Sequence, residues 1–335
     1  MPSTAVSTPN IALIKYWGNR NEALRLPMGD SLSMALNTPS VEISVDHAPV
    51  LSVRSYEADG KEKVLSAVSL KRFEDVVENF NRYFGELGIG NAIPKSLSIV
   101  IKSEIPPGIG IASSAAVFSC LAEAVADLVK DTRVLTRREI SVLARLGSGS
   151  ACRGAFDGYV AIRAGTGDDT GSAYAEQIAD DKHWLLHDII LVPSTKEKKV
   201  GSTEGHAGAA TSPHFAERVR ETPRRMRECT HAIRNRDFEA LQFVAEEDAL
   251  DMHHCMQTQN PPLQYLSSET LRIVEEIKSL RKRKHLPVLF TMDAGPTVHL
   301  FCPNEAKADV LEYAKAQTGC LLFQAHAGKG SHLKN

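Results

Sequence analysis

Apolar and polar positions follow two distinct rhythms along this chain. Val41, Ile43 and Val45 are separated by single polar residues, and Leu97, Ile99 and Ile101 repeat the pattern on the way to Ile105. A period of two places one set of side chains on one face, so both runs predict half-buried strands. Asp59-Gly60 follows the apolar run near Leu51 and Val53 and predicts a hairpin turn. Val117, Leu121, Val125 and Leu128 lie three to four apart, the spacing of one helix face. Helical periodicity also covers residues 215–249, with a break expected at Thr222-Pro223, because proline lacks the helical N–H donor. A third helix is predicted over 268–282.

Around Trp184 the pattern changes. Ile189-Ile190-Leu191-Val192 is a short continuous apolar strand after the polar stretch 168–182, which divides the chain into an N-terminal domain, 1–184, and a C-terminal domain, 185–335. Val288 to Phe290 and Val298 to Phe301 predict a strand pair joined through Asp293-Ala294-Gly295-Pro296. A last strand is expected near Cys320 to Phe323, before the glycine-rich Ala327-Gly328-Lys329-Gly330. Strands and helices mix without a strict βα repeat, so the fold class read here is α+β rather than a doubly wound sheet.

Composition narrows the field. With 43% apolar and 24% charged residues in 335, the chain is of globular type. Its 39 basic and 41 acidic side chains leave a formal charge of −2, so no global positive field is present to hold nucleic acid or an anionic membrane. An anionic ligand must be held by local donors. No segment approaches the roughly 18–20 apolar residues of a membrane span, and Met1 to Asn10 does not read as a secretory leader. Six scattered cysteines without a CxxC pair read as reduced cytosolic thiols.

Five segments carry candidate chemistry. Ile105 to Ala116 contains Pro107, Gly108, Gly110, Ala112, Ser113 and Ser114 between a predicted strand and a predicted helix. Glycines allow close backbone approach, and free N–H groups at a helix start attract phosphate. A glycine-rich turn with serine as a helix cap is the other reading. Gly147-Ser148-Gly149-Ser150-Ala151-Cys152-Arg153 offers amides, hydroxyls and a guanidinium suited to a carboxylate or phosphate. Lys15 ends an apolar run and precedes Tyr16 and Trp17; such a lysine sits beside a carboxylate or simply snorkels to the surface. Asp293 at a strand end is a base, an orienting group or the cap of a turn. Lys198 to His206 adds hydroxyls and local positive charge. His253, His254, Cys255 and His206 lack a spacing that makes a metal centre, so no structural metal is expected.

Taken in order, these segments resemble the GHMP small-molecule kinase superfamily, through Pro106 to Ala115, and within it the mevalonate diphosphate and phosphomevalonate decarboxylases. The closer likeness rests on Asn10 to Gly18, Ser31-Leu32-Ser33, Gly147 to Arg153, Ser202-Thr203, Thr211-Ser212-Pro213 and Asp293 to Pro296. The resemblance implies a ribosomal-protein-S5-like N-terminal domain packed on a ferredoxin-like C-terminal domain. It also implies ATP and Mg²⁺, a phosphorylated mevalonate substrate and a homodimer. In that reaction ATP phosphorylates the 3-hydroxyl, and the 3-phosphate then leaves with CO₂. Asp293 would act on the 3-hydroxyl, Lys15 would stabilise charge, and Arg153 would hold the substrate carboxylate. Tyr16, Asn19, Ser148, Gly149, Ser150, Ser202 and His206 would line the substrate, and Pro107 to Ser114 would cradle ATP.

Three departures bear on the substrate. Asn19 stands where the diphosphate decarboxylases usually carry Lys, His206 where Met is common, and Gly29-Asp30 where Asn-Ser is common. One charge lost at Asn19 and one gained at Asp30 favour mevalonate 5-phosphate, giving isopentenyl phosphate, as does the run Gly18-Asn19-Arg20 followed by Leu24-Arg25-Leu26-Pro27, which resembles the phosphomevalonate decarboxylases; mevalonate 5-diphosphate is the alternative. A mevalonate 3-kinase, a sugar or homoserine kinase, and a non-catalytic ligand-binding relative are further readings, against which Lys15, Asp293 and the motifs around them weigh.

Overall fold

The structure, a computed structural model, describes residues 2–90, 96–106, 112–193 and 201–334, with the backbone alone at 202–204. The chain opens with β1 (Ser3–Ser7), β2 (Asn10–Ile14), the short β3 (Asn19–Asn21) and β4 (Leu26–Pro27), β5 (Ser31–Ala35), β6 (Val41–His47), β7 (Ser52–Glu57) and β8 (Glu62–Lys63). Helix α1 (Ala67–Glu86) leads to β9 (Leu97–Ser103), α2 (Ser113–Leu128), α3 (Arg137–Gly147), β10 (Tyr159–Arg163) and β11 (Tyr174–Ala179). The second half holds β12 (Leu186–Val192), α4 (Ser202–Gly208), α5 (Phe215–Asn235), α6 (Phe238–Thr258) and α7 (Ser268–Lys284). It ends with β13 (Leu289–Thr291), β14 (Val298–Pro303), α8 (Lys307–Lys315), β15 (Leu321–His326) and β16 (His332–Leu333).

The period-two runs become the centre of the first sheet, ordered β16-β1-β6-β9-β7-β8. Ile43 faces Ile101 and Val45 faces Ile99 across an antiparallel ladder, and all four are buried. Helix α2 lays the stripe containing Leu121 and Val125 into the same core as Phe80 and Phe84 of α1. A second sheet, β11-β10-β5-β2, places β2 at its edge, and β2 is buried along its whole length. The third sheet, β13-β14-β12-β15, packs against α7 and α8 through Ile273, Ile277, Leu300 and Val310.

Several expectations hold. Gly60, at φ +81°, turns the chain between β7 and β8, although the return strand has only two residues. Strands β13 and β14 pair antiparallel on either side of the Asp293 turn, as the sequence pattern predicts. The expected break at Thr222-Pro223 does not occur: α5 runs through Pro223, and the chain breaks at Arg236, which has φ +55°. Thr222, Met226, Cys229 and Ile233 form a continuous buried face on α5, and that burial offsets the roughly 3 kcal/mol that an interior proline costs. Asp237 then caps α6, its side chain accepting the Ala240 N–H at 3.0 Å. The last residues leave the second half and return to the first sheet, where β16 pairs with β1.

Helix α3 delivers Gly147 and Ser148 to the middle of the molecule. It begins in a capping box: Thr136 Oγ1 accepts the Glu139 N–H at 3.3 Å, and Glu139 Oε2 accepts the Thr136 N–H at 2.8 Å. Thr136→Ala is therefore expected to cost about 1 kcal/mol, measured as a lower urea midpoint with an unchanged slope; an unaltered midpoint would show that the cap adds nothing.

Candidate active site

Strand β2 ends at Ile14, and the next residue, Lys15, turns into the space between the two halves of the chain. Its Nζ donates to the Ala12 carbonyl at 2.7 Å and to Asp293 Oδ1 at 2.8 Å. Asp293 reaches this point from the turn after β13, where the Gly295 N–H closes on the Asp293 carbonyl at 2.7 Å. The ion pair thus joins the second and third sheets. Its lysine side chain is 1% exposed and its aspartate 28%, so the carboxylate is the face open to a ligand.

Electrostatics follow from that placement. Burial pushes Lys15 below its ordinary value, although Asp293 and Asp248 oppose this. Burial also raises Asp293, but the Lys15 ammonium, with His299 and Arg153, outweighs it and holds the carboxyl below the usual range. Each partner therefore favours the charged form of the other.

Arg153 lies in the tight turn Gly149–Ala155 and is buried. Its Nε donates to Asn10 Oδ1 at 3.1 Å and its Nη1 to Ser31 Oγ at 2.7 Å. Among the described residues no carboxylate lies within ion-pair distance of it, so a buried guanidinium faces the cavity without an anion. A buried charge of this kind is costly unless something pairs with it. Ser148 Oγ lies 3.2 Å from Ser114 Oγ and 3.5 Å from Ser150 Oγ, a row of hydroxyls beside it. Gly149 has no room for a side chain: a Cβ there would lie 2.3 Å from Tyr16 Cε1.

These groups surround one cavity of about 200 Å³, which also touches Ala112, Ser113 and Ser114 at the start of α2. Ala112 makes no side-chain cap there, and the positive end of the α2 dipole faces the cavity at Ser113 and Ser114. A second cavity, of about 210 Å³, shares Ser113 and Ser114 and has walls from Leu65, Phe73, Ile105 and Phe118. The helix start thus stands between a polar and a more apolar chamber. Pro107, Gly108 and Gly110 lie outside the described residues, as does the Ser202 side chain.

The three positions read for substrate charge fare differently: Asn19 and His206 line the cavity and Asp30 does not. Asn19 accepts the Tyr16 hydroxyl proton on its Oδ1 and spends its amide on Glu22 Oε2 at 2.7 Å, so its N–H group turns away from Tyr16. Asp30 does not line the cavity: it pairs with Arg163 at 3.0 Å and accepts the Ala164 N–H at 2.8 Å. Its charge is already answered, so it does not oppose an anion in the cavity. His206 does line it. Its Nδ1 accepts the Gly18 N–H at 2.9 Å, and burial holds its pKa down at about 3, so a neutral ring is left with Nε2–H to donate.

Sequence reasoning reads Arg25 only as part of Leu24-Arg25-Leu26-Pro27, a run resembling the phosphomevalonate decarboxylases, and gives it no place at the site. It lines the same cavity, and its charge is felt by both Tyr16 and His206. It sits at φ +50° in the β3–β4 hairpin, its Nε donating to the Leu146 carbonyl at 3.2 Å. The neighbouring Leu24 carbonyl is bound by Arg145, a fully buried side chain that also donates to the Ala173 carbonyl at 3.0 Å. The run Leu24-Arg25-Leu26-Pro27 does not place Arg25 at the cavity; its left-handed backbone within a folded hairpin brings it there.

Residues 7–174 match the model for the diphosphomevalonate decarboxylase-like N-terminal domain, and residues 188–327 match that for the mevalonate 5-diphosphate decarboxylase C-terminal domain. A diphosphomevalonate decarboxylase of Aspergillus fumigatus is 34% identical over 317 residues, covering 89% of this chain and 76% of that protein. The human diphosphomevalonate decarboxylase is 31% identical, covering 91% of this chain and 78% of that one. Among solved structures, mevalonate diphosphate decarboxylase from Staphylococcus aureus superposes with a TM-score of 0.87 at 26% identity, over 100% of this chain and 98% of that one. A structure described as MDDEF in complex with MVAPP, AMPPCP and magnesium superposes with a TM-score of 0.86 at 27% identity, over 100% and 99%. With both halves matched in order, the chain belongs to the mevalonate decarboxylases of the GHMP kinase type, ATP-dependent carboxy-lyases of isoprenoid biosynthesis.

Proposed function

We propose that the chain converts mevalonate 5-diphosphate and ATP into isopentenyl diphosphate, ADP, phosphate and CO₂. The observation that carries the choice of diphosphate is Arg25, a cation in the cavity beside Tyr16 and His206. It restores the positive charge that Asn19 lacks, and the relatives named above, all diphosphate enzymes, support the same reading. A monophosphate is favoured by one observation, the neutrality of Asn19 and His206, and the assay below separates the two.

The proposed roles follow the geometry. Asp293 accepts the proton of the 3-hydroxyl as that oxygen attacks the γ-phosphorus of ATP. The Lys15 ammonium, 2.8 Å from Asp293, stabilises negative charge on the transferred phosphoryl group. Arg153 binds the substrate carboxylate and holds its C–C bond in position to break. The 3-phosphate then departs with the C–O electron pair. The C–C pair becomes the alkene bond, and the carboxylate leaves as CO₂. Tyr16, Ser148, Gly149, Ser150 and His206 contact the 5-phosphates, with Asn19 orienting Tyr16; Ser202 is assigned to the substrate by the resemblance alone.

ATP enters along α2, its phosphates at Ala112, Ser113 and Ser114 and at the Pro107 to Gly110 segment. Magnesium arrives with ATP as part of the substrate and neutralises phosphate charge. Asp293 is the carboxylate lining the cavity among the described residues and is already paired with Lys15, so the chain offers hydroxyls rather than a carboxylate cage.

Three coarser assignments complete the reading. The boundary at 184 and 185 falls between the two matched segments, which supports it. No helix among the described residues is long and apolar enough to cross a membrane, and the six cysteines are free thiols, which supports a cytoplasmic setting. A homodimer is carried over from the resemblance, and the mass in solution tests it.

Assayed side by side, mevalonate 5-diphosphate is expected to show the higher kcat/KM; equal or better use of the monophosphate would overturn the diphosphate reading. Arg25→Ala should raise KM for the diphosphate about tenfold or more, since a charge-assisted hydrogen bond contributes roughly 1.5–3 kcal/mol, and should leave KM for ATP nearly unchanged. Asp293→Ala should abolish CO₂ release while nucleotide binding persists, and retained turnover would remove Asp293 from its role. Activity requires protonated Lys15, whose pKa burial lowers, so kcat/KM should fall on the alkaline side with a midpoint below the ordinary lysine value of 10.5. A midpoint at or above that value contradicts the assignment.

A further inference from the structure

Lys15 follows Ile14, the last residue of β2 paired with β5, so the strand ladder does not occupy its backbone. A buried cluster of ionic side chains from the other half of the chain does. Asp248 of α6 accepts the Lys15 N–H on Oδ2 at 2.6 Å. Arg218 of α5 donates from Nη2 to the Lys15 carbonyl at 3.2 Å. The same Nη2 donates to Asp248 Oδ2 at 3.1 Å, which closes a ring around one peptide. Arg218 and Asp248 are both buried.

The cluster has a second part that does not touch Lys15. Asp251 pairs with Arg218 and with Arg225, each at 2.6 Å, and Arg225 also reaches Asp248 Oδ1 at 3.3 Å. A buried ionic cluster is weak evidence for stability, because desolvation consumes most of the attraction. What this one does with particular economy is hold both backbone polar groups of Lys15 and place a carboxylate near its ammonium.

We propose that Asp248, braced by Arg218, is a positioning residue that fixes the Lys15 backbone and keeps its ammonium aimed at Asp293. The inference rests on the role given to Lys15 above. The charged and titratable groups facing Lys15 are Asp293 from the β13–β14 turn, Asp248 and His253 from α6, Arg153 from the tight turn and Asp188 from β12. Asp293 and Asp248 favour the ammonium, while burial and Arg153 oppose it. Removing the Asp248 charge therefore lets Lys15 lose its proton at a lower pH.

The test compares Asp248→Asn with Asp251→Asn in the full-length enzyme. Both strand part of the same pair of arginines, but only Asp248 touches Lys15. Asp248→Asn should lower kcat at least tenfold, leave KM for ATP within about twofold, and move the alkaline limb of kcat/KM to lower pH. Asp251→Asn should lower the urea midpoint without moving that limb. Should Asp248→Asn fail to fold, the double variant with Arg225→Gln removes one stranded guanidinium and carries the same test. An unmoved limb with Asp248→Asn, or equal shifts in both variants, overturns the proposal. A wild-type enzyme that decarboxylates neither phosphorylated mevalonate would instead overturn the function on which it rests.

Discussion

The Lys15–Asp293 ion pair is the contact on which the arrangement of this molecule depends. Its members lie at the ends of strands in different sheets, so it can form only when the two halves are docked. Taking both charges out of water is unfavourable unless each is answered at close range. Lys15 is answered by Asp293 and the Ala12 carbonyl, and its peptide by Asp248 and Arg218. The surrounding apolar residues, Trp17, Phe215, Met252 and Met256, exclude water behind it. The ionic centre and its apolar backing together make a site that is rigid on its protein side and open on the Asp293 side.

Buried cations recur around that centre. Arg153 faces the cavity without a carboxylate, and Arg145 is fully buried among backbone carbonyls, while Arg25 lines the cavity wall. A chain with a net charge of −2 thereby concentrates positive charge where an anion must sit. The price is met locally, by carbonyl and hydroxyl acceptors, rather than by acidic partners that would cancel the field. The start of α2 adds the partial positive charge of its dipole beside the serines.

Much of the fold and site is legible in the primary structure. Periods of two and of three to four mark β6, β9, α2 and α7, because one-sided burial imposes those spacings. Helices α1 and α3 escaped notice, although Ser66 and Thr136 cap them. Pro223 misled because the rule against interior proline is local, whereas the buried face of α5 is a tertiary property. Lys15, Asp293, Arg153 and the serines at 113, 114, 148 and 150 were legible because their types and order carry the family resemblance, and folding brings them to one cavity.

The sequence by itself determined the α+β class, the family and most of the residues that meet in the cavity, since motif and period are local properties of the chain. Tertiary structure decided the charge balance around the substrate. Asp30 and Asn19 could be counted but not located, and folding turns one towards Arg163 and the other towards Tyr16 and Glu22. Arg25 could be read within a run but not located, and it reaches the cavity because Arg145 and Leu146 hold its hairpin in place. Electrostatic interactions depend on distance and burial, and neither is written in the order of residues.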